Sequence, residues 1–600
     1  MICPSCVNVG KTTFLNVLLG KTDPSWQRGG VLRVNGNDEP LNRFSKVMGF
    51  VPQEDIMHRD LSGYDNIRYS AQVRLPRDWT SEQREAHAAA CIAALQLEHV
   101  QDTIIGDEIV RGISGGQRKR VNVGIEMAAA PLALFLDEPT SGLDSTAAME
   151  ICATLKDLAR IASLTVVMVV HQPRVEIWEQ LDELLLLAPG GLTVYQGPQR
   201  LVLRYFKQRL QMAPTLGDNP ADWLMDRIAE HGVAFTAVWR DGGKEIVDKL
   251  REDEATSIVR VSQSNAVLSP LDDKNALAGL LLPGALPPMS ADHTVVRTPD
   301  GDHIIISPTT NEPSSLRPAV FPQGVKLRQS ANFFKQMWLA LSRSIWKQAA
   351  NLPALALEVG LGLVAGVSMA ALTDVKWQTM LLPPFTLLSS APLDGAISAL
   401  FQNIGLAIAL AATTAGVKVF GEEMTIYKRE VSSGHSHLAY FIGVNIAQFP
   451  RLFISGLHFA FAFHLYSQPL TRFGPFFAIS FLLYAAVHGL SCLVSMVVSR
   501  KNAPLLGTVL ALLMGSMTAK GGFPEEMQQF SAARWATEAM FSYETALLTH
   551  VMDVAGAAER LGYVRERVTA DLAIMFSVGM FYRLVAYVIM RWNDRKLMRG

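Results

Sequence analysis

Ile113-Ser114-Gly115-Gly116-Gln117-Arg118-Lys119-Arg120, with the apolar run Leu132-Ala133-Leu134-Phe135-Leu136 and its terminal Asp137-Glu138 behind it, decides how this chain folds. The first segment places Ser114 and two glycine amides at a helix N-terminus, where backbone N–H groups lack intrahelical partners and favour an anion. The second is a short apolar strand ending in two acids. Upstream, Gly10-Lys11-Thr12-Thr13-Phe14-Leu15 reads as the end of a phosphate-binding loop running into a helix. Such a loop turns backbone N–H groups inward around phosphate, with a helix N-terminus behind them. Lys11 then reaches the β- and γ-phosphates and Thr12 ligates Mg2+. The full pattern has a glycine where this chain has Ser5. At the strand end, Asp137 is placed to hold the Mg2+ shell and Glu138 to polarise an attacking water. Each piece alone is weak, since buried strands often end in a charged turn.

Three further pieces lie in register with these. Gln53 stands in Phe50-Val51-Pro52-Gln53-Glu54-Asp55, Ser141-Gly142-Leu143-Asp144 follows the acidic pair, and His171 closes the apolar strand Thr165–Val170. In this order and spacing the set resembles the ATP-binding cassette (ABC) ATPases. Arg118-Lys119-Arg120-Val121-Asn122 and Asn219-Pro220-Ala221-Asp222-Trp223 narrow the resemblance to the G subfamily, the white-brown type, in which the cassette precedes the membrane domain on one chain. The resemblance covers about Gly10 to Arg591, apart from a linker. It implies a cofactor pair of ATP and Mg2+. Glu138, His171 and Gln53 would be catalytic, and Thr12, Gln53 and Asp137 would surround the metal. Gly10, Lys11, Thr12, Thr13, Ser114, Gly115, Gly116, Gln117 and Asp144 would bind nucleotide. The family sandwiches ATP between the phosphate loop of one cassette and the signature segment of another. Ser114–Gln117 would therefore act in trans, and a homodimer or a heterodimer with another half-transporter is implied.

The front of the chain departs from the family. Cassettes of this subfamily carry tens of residues before the phosphate loop, supplying the first strands and an aromatic that stacks on adenine. Here Cys3-Pro4-Ser5 resembles the family's Gly-Pro-Ser, but Cys6-Val7-Asn8-Val9 replace small residues and glycines. β-Branched residues fit poorly where φ must be positive. Two readings stay open: upstream residues belonging to the protein are absent from the sequence, or the loop is altered and binds nucleotide weakly.

Composition locates the second half. The chain has 600 residues, 49% hydrophobic and only 18% charged, against about 25% charged in soluble domains. Its formal net charge of −1 lacks the basic excess of a nucleic-acid binder. Five cysteines exclude a disulfide scaffold, and Cys3-x-x-Cys6 has no second pair to complete a zinc site. Residues 1–260 read as α/β sequence, whereas 352–592 hold long apolar runs. Between Gln263 and Lys326 lie nine prolines with many Ser and Asp and no helical period, the composition of a linker.

About 20 apolar residues cross a bilayer. Candidate spans are Leu352–Leu372, Ala396–Val417, Tyr440–Leu465, Phe473–Val498, Pro504–Ala519 and Leu572–Arg591, the fifth being short. Lys418, Lys428 and Arg429 follow span two, Arg500 and Lys501 span four, and Arg591, Arg595, Lys596 and Arg599 span six. All three clusters fall on the cassette side, which places the cassette in the cytoplasm. Phe334, Met337, Trp338, Leu341, Ile345 and Trp346 alternate with Lys335, Arg343 and Lys347 at helical spacing, as in an interfacial amphipathic helix. Gly421-Glu422-Glu423 through Ala439-Tyr440-Phe441 resembles the subfamily's connecting helix, which implies coupling of ATP-driven closure to the membrane. Met380–Ser390 is too short and Pro-broken to span. Glu358 lies in span one, either as a functional polar site or because that span starts later. His458, His464 and His488 lie in or near spans three and four. Lys520–Ala570, with Phe523, Trp535, Phe541, Tyr543, Glu525 and Glu526, suggests a folded external lid.

The expected fold is an α/β P-loop ATPase of the ABC type, its N-terminal part incomplete, followed by an all-α six-helix transmembrane domain. The domains fall at 1–230 (cassette, first strands missing), 231–330 (linker, partly disordered), 331–351 (interfacial connecting helix) and 352–600 (six spans). The resemblance implies a multi-pass half-transporter of the plasma membrane or an internal membrane, moving lipid-like or hydrophobic compounds among membrane lipids, with no nucleic acid. The altered loop supports an alternative, a non-hydrolysing subunit of a heterodimer. A soluble ABC ATPase of translation or repair is opposed by the spans.

Overall fold

A computed structural model describes residues 2–3, 10–19, 47–107, 110–162, 164–215, 217–265, 294–297, 303–306, 330–372, 398–421, 423–498, 502–518, 523–549 and 553–599. Residues 4–9, which carry the departure from the phosphate-loop pattern, and Met380–Ser390 lie outside the described residues. Two compact units result, one built mainly from Met1–Asn332 and the other from Phe333–Leu597.

The first unit is built on a six-stranded sheet. Its strands are β1 (Ile2–Cys3), β2 (Met48–Val51), β3 (Ala133–Asp137), β4 (Thr165–Val169), β5 (Glu183–Ala188) and β6 (Leu192–Pro198). Their order is β2-β3-β4-β1-β5-β6. All neighbours run parallel except β5 and β6. Parallel strands are covered on both faces, which is why β3 is apolar up to its terminal Asp137 and Leu134 to Asp137 are buried. Helix α1 (Lys11–Leu18) buries Leu15 in a small core with Phe135, Val169 and Leu187. A second core lies among α2 (Gly63–Arg74), α3 (Ser81–Ala94), α4 (Gly115–Met127) and α5 (Ser145–Ile161), with Ile67, Cys91, Leu95, Val121 and Leu155 inside. Packing is close at Gly124, where a Cβ would meet Ile67 Cδ1 at 2.6 Å.

Residues 231–265, which fall inside the expected linker domain 231–330, are helical apart from the turn Asp241-Gly242. The short α6 (Val175–Trp178) and α7 (Val202–Leu210) lead to α8 (Pro220–Arg240) and α9 (Gly243–Asn265). Leu224, Ile228, Phe235, Val247 and Leu250 share one core with Leu186, Val194 and Phe206. The apolar stripe of α8 and α9 covers the β5–β6 edge, so that edge is not left for water. Asn219 caps α8 and Pro220 occupies its first turn, a start signal in the sequence itself. Further on, Thr294–Arg297 and His303–Ile306 pair as an antiparallel hairpin. The rest of the linker, with its predicted disorder, lies outside the described residues.

The second unit is helical. Its elements are α10 (Phe333–Ala350), α11 (Leu352–Leu372), α12 (Ser398–Gly421), α13 (Met424–Ser432), α14 (His437–Ser467), α15 (Phe473–Val497), α16 (Ala503–Ser516) and α20 (Val568–Arg599). Between the last two stand α17 (Glu525–Gln529), α18 (Ala532–Thr545) and α19 (Val554–Leu561). Four helices among the described residues are long and apolar enough to cross a membrane, those around spans two, three, four and six. Span one meets the requirement only together with α10, from which it bends by 73°. The helix at span five has 14 residues, about 21 Å at 1.5 Å per residue and short of a 30 Å hydrocarbon core. The expected six spans therefore resolve into four clear ones, one bent pair and one short apolar helix.

Several polar side chains of this unit have specific partners. Glu358 in α11 accepts from Arg451 Nε at 2.6 Å and from Ser455 Oγ at 3.1 Å, both in α14. An intramembrane carboxylate is tolerable when a cation answers it. On α10 the aromatic residues Phe334, Trp338 and Trp346 are exposed, while Arg343 and Lys347 pair with Glu430 and Glu423. Tyr440 Oη donates to Glu423 at 3.0 Å, and Tyr427 bonds His437 and Asp594. The three predicted histidines are engaged locally: His458 Nδ1 lies 2.7 Å from Ile454 O, His464 packs on Phe473, and His488 is buried beside Cys492. In the predicted lid, Trp535 and Phe541 are buried, whereas Tyr543 and Glu526 are exposed. Glu544 anchors α18 by accepting from the N–H groups of Leu470 and Thr471 at 2.7 and 2.9 Å.

Candidate functional site

Strand register builds the site. Val51 pairs with Leu136 and Asp137 pairs with Val169. Gln53, two residues beyond Val51, and Glu138, two beyond Leu136, therefore leave the sheet side by side at its C-terminal edge. Open α/β sheets place ligands at that edge. Gln53 Nε2 donates to Glu138 Oε2 at 2.9 Å. Glu138 sits at φ 47°, and Gln172, just past His171, at φ 45°. Left-handed backbone at non-glycine residues costs on the order of 1–3 kcal/mol, and such strain clusters at working sites.

Helix α1 brings the second part. Gly10 caps it at φ 89°, a conformation suited to glycine, and Phe14 N donates to Gly10 O at 2.7 Å. Lys11 follows in the first turn, buried, with Nζ 3.7 Å from Glu138 Oε1. Thr12 Oγ1 donates to Asp137 Oδ1 at 3.3 Å. Burial pushes the Asp137 carboxyl above the ordinary range. The Thr12 hydroxyl works against that, Glu138 adds to it, and Lys11 lowers it. A divalent cation there would restore the ionised form. Hydroxyl and carboxylate oxygens suit a hard ion such as Mg2+, and Gln53, whose amide nitrogen serves Glu138, keeps its carbonyl oxygen as a further donor atom. The residues present thus fit the metal that the resemblance implies.

The remaining sequence-derived residues stand on other elements. Ser114 caps α4, and Gly115 and Gly116 form its first turn. Gln117 N donates to Ser114 Oγ at 3.3 Å, and Ser114 N donates to Gln117 Oε1 at 2.9 Å, a reciprocal capping box. Asp144 caps α5, its Oδ1 accepting from Ala147 N at 2.8 Å. His171 is exposed, and among the described residues no hydrogen bond or ion pair joins it to Glu138. Lys11, Thr12, Gln53, Asp137 and Glu138 are therefore brought together. Ser114 to Gln117, Asp144 and His171 are not bonded into that cluster, and Thr13 is exposed on α1.

Sequence reasoning missed how the cluster is supported. Lys119, buried on α4, donates to Gln53 O at 2.7 Å and pairs with Asp55 at 2.9 Å. Asn122 Nδ2 donates to Asp55 Oδ1 at 3.2 Å. One turn further on, Glu126 pairs with Arg74 at 2.8 Å, both buried, and accepts from Phe50 N at 3.4 Å. These side chains hold the segment carrying Gln53 against the helix that begins at Ser114. The polar positions of α4, at 119, 122 and 126, recur at helical spacing. That recurrence was the one available signal.

A family model described as an ABC transporter matches residues 8–141. A second, described as an ABC-2 type transporter, matches residues 171–237 and 323–596. The chain belongs to the ABC transporter family, in its G or white-brown subfamily. It is similar to "ABC-type transporter claG" of Penicillium crustosum, 29% identical over 566 residues, 92% of this chain and 66% of the relative. It is likewise similar to "ABC transporter G family member 28" of Arabidopsis thaliana, 27% identical over 604 residues, 98% of this chain and 52% of the relative. With the mouse "Broad substrate specificity ATP-binding cassette transporter ABCG2" it shares 38% identity over 219 residues, 36% of this chain and 33% of the relative. The chain thus spans less than two-thirds of the length of these relatives. It is a multi-pass membrane protein with a cassette ahead of its membrane domain.

Proposed function

We propose that the chain is an ATP-driven half-transporter that dimerises and exports lipid-like or hydrophobic compounds, with its cassette in the cytoplasm. One observation carries the reading: Thr12 meets Asp137 while Gln53 and Lys11 converge on Glu138. This cluster has the groups needed to hold Mg-ATP and a water in cis. Lys11 would neutralise phosphate charge, with Gly10 and Thr13 beside it. Thr12, Gln53 and Asp137 would hold the metal. Glu138 would polarise the water, with His171 and Asp144 approaching once nucleotide closes the site. The signature residues Ser114 to Gln117 start a separate helix. That placement supports their use in trans, on nucleotide held by a second half-transporter. Such catalysis rests on positioning and charge neutralisation.

In the membrane unit, the exposed Phe334, Trp338 and Trp346 on α10 support its place in the bilayer interface. The charged α13 beside it is read as the coupling element. Purified full-length protein in nanodiscs should hydrolyse Mg-ATP, and proteoliposomes should translocate a fluorescent phospholipid in an ATP-dependent manner. Absence of both from a folded dimer would refute the reading.

Cys6-Val7-Asn8-Val9 ahead of Gly10 favours a second reading, a subunit that contributes its signature face and helices to a competent partner without hydrolysing ATP itself. Turnover by the purified homodimer excludes it.

A further inference from the structure

Gln117 is held at both ends of its side-chain amide. Its Oε1 accepts from Ser114 N at 2.9 Å, and its Nε2 lies 3.1 Å from His99 Nε2. Donor and acceptor roles follow by elimination. The Ser114 N–H can only donate, so the amide oxygen must face it. The amide nitrogen then faces His99 and is a donor, so His99 Nε2 must accept and the imidazole proton must sit on Nδ1. His99 comes from the short 3-10 turn Glu98–Val100, which follows α3 and not the signature segment. Both His99 and the Gln117 box face solvent.

We propose that His99 is a positioning residue for the signature segment, setting the hydroxyl that Ser114 presents to nucleotide on a second cassette. This deepens the ATPase reading above and rests on it. The chain of cause is short. His99 fixes the Gln117 amide, and the fixed amide closes the capping box. In the closed box, Ser114 Oγ accepts from Gln117 N at 3.3 Å. With that lone pair engaged, the hydroxyl proton points away from the box, toward an incoming phosphate oxygen. The amides of Gly115 and Gly116 stay available beside it, as first-turn N–H groups do. Without His99 the amide rotates, the box opens, and the hydroxyl loses its direction. Nothing in the cis cluster of Lys11, Thr12, Gln53, Asp137 and Glu138 is touched.

Three variants of the full chain in nanodiscs test this. His99→Ala should raise KM for ATP about three- to tenfold, the loss of one net hydrogen bond, while affinity for fluorescent ADP stays within twofold. ADP lacks the γ-phosphate and reads the cis site alone. His99→Gln returns an acceptor to the place of Nε2 and should restore KM to within twofold of wild type. His99→Lys sets an ammonium donor against the amide donor and should be worse than His99→Ala. An unchanged KM in His99→Ala, an equal loss of ADP affinity, or failure of His99→Gln to rescue would each overturn the proposal. If wild-type protein shows no turnover, the hydrolysis reading fails separately. ATP-induced cross-linking of the two cassettes then ranks the same three variants, and a flat ranking overturns the role of His99.

Discussion

Replacing Glu138 by Gln separates chemistry from binding at this site. The substitution keeps size and shape, and an amide oxygen can still accept from Gln53 Nε2, now at 2.9 Å from Glu138 Oε2. Gln tolerates the left-handed backbone here as well as Glu does, since Gln172 already occupies it at φ 45°. What is lost is the negative charge. Its contact with Lys11 is 3.7 Å long with side chains 10% and 20% exposed, and a partly exposed pair of this kind contributes at most about 1 kcal/mol. That corresponds to a fall of roughly 2–4 °C in the melting temperature of a unit this large. The catalytic loss is far bigger, because a positioned base contributes about 10²- to 10⁴-fold. Glu138→Gln should therefore cut Mg-ATP turnover at least a hundredfold while the cassette stays folded. Binding of ATP should persist or tighten, because removing a negative charge beside the phosphates relieves repulsion. The assay is phosphate release and fluorescent-nucleotide binding on the same nanodisc preparation, with a thermal melt as control. Normal turnover would remove Glu138 from the role assigned to it. Loss of nucleotide binding with an unchanged melt would show that Glu138 shapes the pocket instead.

Arg74→Met strands Glu126 in the interior, where breaking a buried pair costs about 3–5 kcal/mol. A melt should show that loss, and Arg74→Met with Glu126→Leu should recover most of it. Glu358→Gln leaves Arg451 unanswered inside a span, a penalty of about 2.5–3.5 kcal/mol on insertion scales. It should lower the yield of folded protein, which Glu358→Gln with Arg451→Gln should restore; equal yields in wild type and single variant would refute the pairing. Because the Asp137 carboxyl is raised by burial, protons compete with Mg2+ for it at a higher pH than at an ordinary aspartate. The Mg2+ concentration for half-maximal turnover should therefore start to climb, as pH falls, above the range in which an ordinary aspartate takes up its proton, and a requirement that stays flat until that range would contradict it.

Much was legible along the chain. Gly10 to Thr13, Gln53, Ser114 to Gln117, Asp137, Glu138, Asp144 and His171 could be named as candidates from order and spacing, because each motif is local chemistry. A phosphate loop needs its lysine next to a helix start, and an acidic strand end needs an apolar strand before it. The apolar runs behaved in the same way, since a bilayer sets a length that can be counted. The boundary at 230 was less legible. Composition reads the charged, exposed faces of α8 and α9, but only packing reveals that Phe235, Val247 and Leu250 close the β5–β6 edge.

By itself the sequence determined the class of machine: a nucleotide cassette, the residues that would touch phosphate and metal, and a hydrophobic second half. The tertiary structure decided which of those residues meet. Gln53 reaches Glu138 only because Val51 and Leu136 share a register, and Asp137 meets Thr12 only where α1 crosses the sheet edge. It also supplied partners that no local pattern holds: Lys119 for the backbone of Gln53, His99 for Gln117, and Arg451 for Glu358. Local chemistry repeats with the period of a helix or strand and can be read in one dimension. A hydrogen bond between residues 66 or 93 positions apart depends on how elements pack, which the burial of apolar faces sets for the whole chain at once.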